Sequence, residues 1–167
     1  MKNPTIYLLA SLLFLGMASC HDKNHKEEHA SEHEQRMEPE KMAPIFHPSH
    51  EPKKANTPFS DVVQVGDLFF LSGQIGMDHS TRVLVEGGIT AETTQVLENI
   101  KEVLAQHDMT MDNVVKALVI LDDIEDFAAF NAIYTQYLPQ KPARTTFAAE
   151  ALAAGAKIEI EVVAVKH

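Results

Sequence analysis

From residue 56 onward the apolar positions recur with two different periods, and each period marks an element. Asp61-Val62-Val63-Gln64-Val65 alternates imperfectly and stops at Gly66-Asp67, a turn signal. Leu68-Phe69-Phe70-Leu71 then reads as a buried strand, so the two segments form a predicted hairpin. Ser72-Gly73-Gln74 is expected to close that strand, and Gly76 to Gly88 has loop composition apart from Val83-Leu84-Val85. Thr90 is placed to cap a helix running to about His107. Its positions Val96, Leu97, Ile100, Val103 and Leu104 follow the helical period, and Glu92, Lys101 and Glu102 lie off the stripe. Val114 to Leu121 is β-branched and apolar apart from Lys116, as a central strand would be. Asp123 is expected to open a second helix with Phe127, Phe130, Tyr134 and Tyr137 as its stripe, ended by Pro139 and Pro142. A strand follows over Arg144 to Ala149. In the last strand, Lys157 to Val165, Ile158, Ile160, Val162 and Ala164 face one way and Lys157, Glu159 and Glu161 the other. The order β-β-α-β-α-β-β is that of an α+β domain in which both helices cover one face of a single sheet. Val163 and Val165 leave apolar surface on the face the helices do not cover, which implies that another subunit meets it.

Before residue 56 the pattern changes. Lys2 precedes an apolar run from Ile6 to Met17 with only Ser11 and Gly16 interrupting it. A spanning helix needs about 20 apolar residues, so the run fits a secretory signal instead. It ends in Gly16-Met17-Ala18-Ser19-Cys20, which resembles the lipobox of bacterial lipoproteins. That resemblance implies cleavage before Cys20 and lipidation of its thiol and new amine. The product would be exported and anchored to a bacterial membrane on its periplasmic or cell-surface side; the alternatives are an ordinary secretory signal with an incidental cysteine, or a plain cytosolic protein with an apolar N-terminus.

Residues 1–19 are thus expected to form a signal peptide, 20–55 a tether and 56–167 the domain. Between His21 and Lys54 the chain is charged and nearly free of aliphatic residues, with too little apolar surface to offset its ordering entropy. Pro39, Pro44, Pro48 and Pro52 favour extended chain there. Six of the nine histidines fall in this stretch, and His21, His25, His29 and His33 are spaced by four. That spacing puts neighbours on one helix face, where two imidazoles can share a metal. The plain alternative is a soluble spacer.

Composition narrows the function. Hydrophobic residues make up 45% of the 167, enough for one core, and the formal charge is −10. No Lys/Arg cluster exceeds Lys53-Lys54, which argues against a nucleic-acid face that must release counterions from a polyanion. The single cysteine excludes an intrachain disulfide and thiolate zinc sites. Nucleophile elbow, P-loop, dinucleotide fingerprint and HExxH motifs are all missing from the sequence. Two side chains remain as chemical candidates. Arg144, at the start of a strand, suits a carboxylate bidentately, or else makes a surface ion pair. Glu159, on the polar side of an apolar strand, is fit to move protons if that side is desolvated, with Glu161 nearby as like charge; otherwise it sits on a solvated face.

Six segments in order and spacing look like the RidA/YjgF family. They are Leu71-Ser72-Gly73-Gln74, Val85-Glu86-Gly87-Gly88-Ile89, Gln95-Val96-Leu97-Glu98-Asn99-Ile100, Asp126-Phe127-Ala128-Ala129-Phe130-Asn131, Pro142-Ala143-Arg144-Thr145 and Ile158-Glu159-Ile160-Glu161. The resemblance spans about residues 56 to 165. It implies a chorismate-mutase-like homotrimer with clefts between subunits, and hydrolysis of reactive 2-imino or enamine acids to 2-keto acids and ammonia. Arg144 falls on the family's carboxylate-binding arginine and Glu159 on the acid that positions or activates water. Gly73, Thr146, Phe59 and Asn131 fall among the substrate-binding positions. No organic cofactor and no metal within the domain are implied. Two positions depart from the pattern: Thr57-Pro58-Phe59 stands where the family often has Gly-Pro-Tyr, and Thr146 where many members carry cysteine. Losing the phenol bears on rate or substrate preference, so a carboxylate-binding or protein-protective module without turnover is the competing reading.

Overall fold

A computed structural model describes residues 42–167. The signal segment, Cys20 and the histidines at 21, 25, 29 and 33 lie outside the described residues. Eight strands and two helices follow in chain order. They are β1 (Ile45–His47), β2 (Val62–Val65), β3 (Leu68–Ile75), β4 (Met77–Asp78), β5 (Val83–Leu84), α1 (Gly88–Ala105), β6 (Val114–Leu121), α2 (Phe127–Tyr137), β7 (Ala143–Ala148) and β8 (Ile158–Val165). Six strands form one sheet in the order β1-β2-β3-β8-β6-β7, and β4 pairs with β5 separately. Only β6 and β7 run parallel, as the α2 crossover between them requires. Strand β8 pairs antiparallel with both β3 and β6 and closes the centre of the sheet.

One face of this sheet holds the core. Ile158, Ile160, Val162 and Ala164 of β8 are almost wholly buried, as are Ala117, Val119 and Leu121 of β6. The stripe of α1, Val96, Leu97, Ile100, Val103 and Leu104, is fully buried against them. α2 adds Phe130 and Tyr134 to the same cluster. On the opposite face Leu68, Phe70 and Phe147 remain exposed and large. Both helices therefore cover one side, as the alternation in β8 predicts.

Several expectations need correction. Ile45–His47, assigned by sequence to a tether, pairs with β2 (Phe46 opposite Val63), and Glu51 and Lys54 are buried as an ion pair at 2.6 Å. The ordered chain thus begins before residue 56, because β2 offers a free edge that β1 satisfies. Strand β3 does not close at Ser72 but continues to Ile75 through a bulge between Leu71 and Gln74. The presumed loop after Gly76 contains the β4–β5 hairpin. Thr90 does not cap α1: the chain turns into the helix at Gly87, whose φ of 115° is accessible to glycine, and the helix has begun by Gly88. Glu92, expected off the buried stripe, is 5% exposed and accepts the Lys157 N–H at 2.7 Å. Asp123 opens not α2 but a single 3₁₀ turn, accepting the Glu125 N–H at 3.0 Å, and α2 starts at Phe127. Phe127 is consequently more exposed than its place in the stripe implies. Among the described residues no helix is long and apolar enough to cross a membrane.

Candidate active site

Glu159 stands near the start of β8, opposite Ile75 of β3 and Ile120 of β6. Its neighbours Ile158 and Ile160 point into the core, so its carboxylate emerges on the sheet face away from the helices. It is half-buried, and burial raises its pKa above the ordinary carboxylate value, with the charge of Glu161 adding to the effect. A carboxylate in that condition can take up a proton more readily than a solvated one. Gly73, in the β3 bulge, explains how the carboxylate fits: a Cβ at position 73 would overlap Oε1 of Glu159. Phe59, Gly73, Gln74, Met77 and Asn99 line a cavity of about 240 Å³ with Glu159. Its wall is fixed by the buried amide of Asn99, which donates to the carbonyls of Ile75 (3.1 Å) and Met77 (2.9 Å). Asn99 appears in the sequence only as part of a helix motif; its periodicity marks it as buried, and a buried amide needs partners.

Arg144 belongs to a separate hollow. Pro142 and the left-handed Lys141 (φ 57°) turn the chain out of α2 into β7, and Arg144 is the second residue of that strand. Its guanidinium carbon lies 4.7 Å from the ring centre of Tyr134, 5.1 Å from Phe130 and 5.6 Å from Phe127. Nη1 donates to Oδ1 of Asn131 at 2.9 Å. Among the described residues no carboxylate lies within ion-pair distance of Arg144, so the surface ion pair left open by composition is not what this side chain makes. The aromatic rings and one amide hold the fork in place while most of its N–H donors stay free. Asn131, Tyr134, Thr135, Lys141 and Arg144 line a hollow of about 370 Å³. The Tyr134 hydroxyl and Thr146 Oγ1 are buried without hydrogen-bond partners, and burial holds the Tyr134 phenol above its usual pKa against the pull of Arg144. Thr146 follows Arg144 by two along β7 and therefore shares its face.

These two groups of residues do not meet within one chain. Arg144 and Thr146 pair with Ala117 and Val119, which face the helices, whereas Glu159 pairs with Ile120, which faces away. β6 also separates β7 from β8. Phe59, Gly73 and Glu159 thus form one half-site, and Arg144, Asn131 and Thr146 another.

A family model described as Endoribonuclease L-PSP matches residues 49–166. The chain belongs to this family. The RidA/YjgF resemblance read from the six segments is the same assignment, because the solved relatives carry those names. A protein of Capra hircus, named 2-iminobutanoate/2-iminopropanoate deaminase, is 44% identical over 110 residues, 65% of this chain and 80% of that one. Among solved structures, a Thermotoga maritima protein shares 37% identity with a TM-score of 0.69, covering 74% of this chain and 98% of that one. The YjgF gene product of E. coli shares 28% identity with a TM-score of 0.67, covering 74% and 99%. The RidA fold is therefore the fold of this chain, α+β with two helices on one face of a mixed sheet.

Proposed function

We propose that this RidA-family chain hydrolyses the C=N bond of 2-imino acids and their enamine tautomers, yielding 2-keto acids and ammonia, outside the cytoplasm. The observation that carries the reading is the uncommitted guanidinium of Arg144, held by three aromatic rings and Asn131 with no carboxylate of its own. A substrate carboxylate completes that fork. The activity in the name of the Capra hircus relative acts on acids of this kind.

In the proposed reaction Arg144 fixes the carboxylate and so places the adjacent imine carbon. Glu159 accepts a proton from water as the water oxygen bonds to that carbon and the C=N pair moves to nitrogen, which takes up a proton. The carbinolamine then collapses: protonated Glu159 gives its proton to the amine nitrogen and takes up the hydroxyl proton as C=O forms, the C–N bond breaks and ammonia leaves, and the proton on Glu159 returns to solvent. The balance is one water consumed and one ammonia released per imine. Since the two half-sites lie on opposite faces of one sheet, a complete site takes Arg144 from one copy and Glu159 from another. A homotrimer joined through the apolar open face would supply that arrangement.

The reading of location rests on Lys2, the apolar run and Gly16-Met17-Ala18-Ser19-Cys20, which support a lipid-anchored, exported protein. Phe59 favours a second reading, a carboxylate-ligand-binding or protein-protective module, because no phenol hydroxyl is present there to bond ligand or water. Nuclease action, which the family model's description suggests, sits poorly with a formal charge of −10. The deciding experiment is a coupled assay of the purified chain with freshly generated 2-iminobutyrate. Accelerated release of 2-oxobutyrate and ammonia supports the enzyme; tight 2-oxobutyrate binding without acceleration supports the module.

A further inference from the structure

Beside the Glu159 cavity, whose wall includes His79, loops and a helix bring together nitrogen and carboxylate groups that the deamination does not use. His50 comes from the segment after β1, His79 from the β4–β5 turn and Glu102 from the exposed side of α1. One potential ligand atom of each lies within 4.8 Å of the other two. Nε2 of His50 is 3.3 Å from one oxygen of Glu102, and Nδ1 of His79 is 3.2 Å from the other.

Hydrogen bonding by a neutral ring accounts for His50, whose Nδ1 meets the Gln106 amide at 2.7 Å while Nε2 meets Glu102, but not for His79. A neutral imidazole has one N–H and one lone pair, yet both nitrogens of His79 face acids within 3.3 Å. Nε2 of His79 lies 3.3 Å from Oε1 of Glu51, and Nδ1 of His50 lies 4.0 Å from Oδ2 of Asp61. These outer acids are only 5% and 3% exposed, and neither oxygen of Asp61 has a hydrogen-bond partner among the described residues. Lys54 sits 2.6 Å from Glu51 and 3.8 Å from Asp61, and Arg82 donates to Glu51 at 3.0 Å. These two cations offset two of the three carboxylates. Lys53 stands at the rim with its ammonium on the Ser80 carbonyl.

We propose that Nε2 of His50, Nδ1 of His79 and the Glu102 carboxylate bind a divalent transition metal of the zinc class, with Glu51 facing the outer N–H of His79. A metal takes one lone pair from each ring and leaves the opposite N–H of His79 aimed at a buried acid, the carboxylate–histidine–metal relay that fixes tautomer and ring orientation. The Gln106 amide, 2.7 Å from Nδ1 of His50, serves that nitrogen once its interchangeable oxygen is turned toward it. With each ring 3.2–3.3 Å from one of the two Glu102 oxygens and one ligand atom of each residue within 4.8 Å of the others, the three groups can close around an ion with bonds of about 2.0–2.2 Å. Two imidazoles and one carboxylate favour zinc, nickel or copper over magnesium or calcium, which prefer all-oxygen sites. The fourth position opens onto a surface hollow of about 400 Å³ lined by Pro52, Lys53 and Ser80.

The test uses the full chain carrying His21→Gln, His25→Gln, His29→Gln and His33→Gln, so that the N-terminal histidines do not contribute. Above about pH 7, where free imidazole is neutral, Zn²⁺ should bind in one equivalent by calorimetry and raise the melting temperature, since a ligand of the native state stabilises it. Co²⁺ should give the visible absorption of a tetrahedral site. His50→Gln and His79→Gln should each weaken binding by about 100-fold or more. Glu102→Gln changes an exposed side chain on α1 and leaves the core intact, so its loss of affinity cannot be ascribed to misfolding. No binding in the four-glutamine chain, or one equivalent bound equally well by folded His50→Gln, His79→Gln and Glu102→Gln, would overturn the proposal.

Discussion

Replacing Arg144 by alanine removes two separable sets of interactions, and their sizes can be worked from the structure. Within its own chain the side chain gives up three aromatic contacts at 4.7, 5.1 and 5.6 Å and one hydrogen bond of 2.9 Å to Asn131. Partly exposed cation–π contacts contribute about 0.5–1 kcal/mol each and the hydrogen bond about 1 kcal/mol. One guanidinium shared among three rings gives less than the sum, so the fold should lose about 1–2 kcal/mol and remain folded with a lower melting temperature. Against a carboxylate ligand the loss is larger. An unpaired carboxylate in a partly dry cleft costs about 2–5 kcal/mol, a factor of about 30–5,000 in affinity. Calorimetry with 2-oxobutyrate reads the binding loss, thermal melting reads the structural loss, and hydrolysis of 2-iminobutyrate reads turnover. Arg144→Lys should recover only part of the affinity, because a point charge cannot supply the planar fork. A folded Arg144→Ala chain that binds 2-oxobutyrate as tightly as the parent would refute the role given to this residue.

Glu159→Gln should keep 2-oxobutyrate affinity while turnover falls about 10²–10⁴-fold, the range for a positioned acid–base group; full turnover would exclude Glu159 from proton transfer. Glu161→Gln removes the like charge that adds to the raised pKa of Glu159. Glu159 would then ionise at lower pH, so the acidic limb of kcat/KM should move to lower pH, and an unmoved limb would assign it to another group. Light scattering should find trimers at micromolar concentration, whereas a monomer with full activity would contradict a site shared between copies. Leu97→Ala, at a position with no exposed surface, should cost about 2–5 kcal/mol of stability in denaturant melts. A fatty-acid probe should label the wild-type chain and not Cys20→Ser; equal labelling would rule out the anchor.

Burial on one face is what the sequence makes legible. The alternation of β8 and the helical stripe of α1 each repeat over several residues, and every apolar member of both is buried. Short or remote demands are not legible in this way. Ile45-Phe46-His47 lies among prolines and charges and becomes a strand only because β2 has an edge to offer. Glu92 looks like surface helix, yet the N–H of Lys157, 65 positions away, draws it inward. For the site, Pro142-Ala143-Arg144 and the polar positions of β8 point to Arg144 and Glu159. Their placement on opposite faces depends on the β6–β7 and β6–β8 registers, which no local pattern encodes. The meeting of His50 and His79 is illegible for a similar reason, since they are 29 positions apart, each outside a periodic segment, and meet only through the β4–β5 turn.

The seating of β8 between β3 and β6 has a consequence for how the chain folds. The strand that joins the two halves of the sheet comes last in chain order among the described strands. Until its residues are available, the β2–β3 hairpin and the β6–α2–β7 unit have no hydrogen-bonded partner between them, and the apolar stripe of α1 has no complete floor to settle on. Folding therefore waits on contacts distant in sequence, which slows it and favours a single late step over piecewise assembly. Loss of β8 should leave a product open at the middle of its sheet rather than frayed at one end.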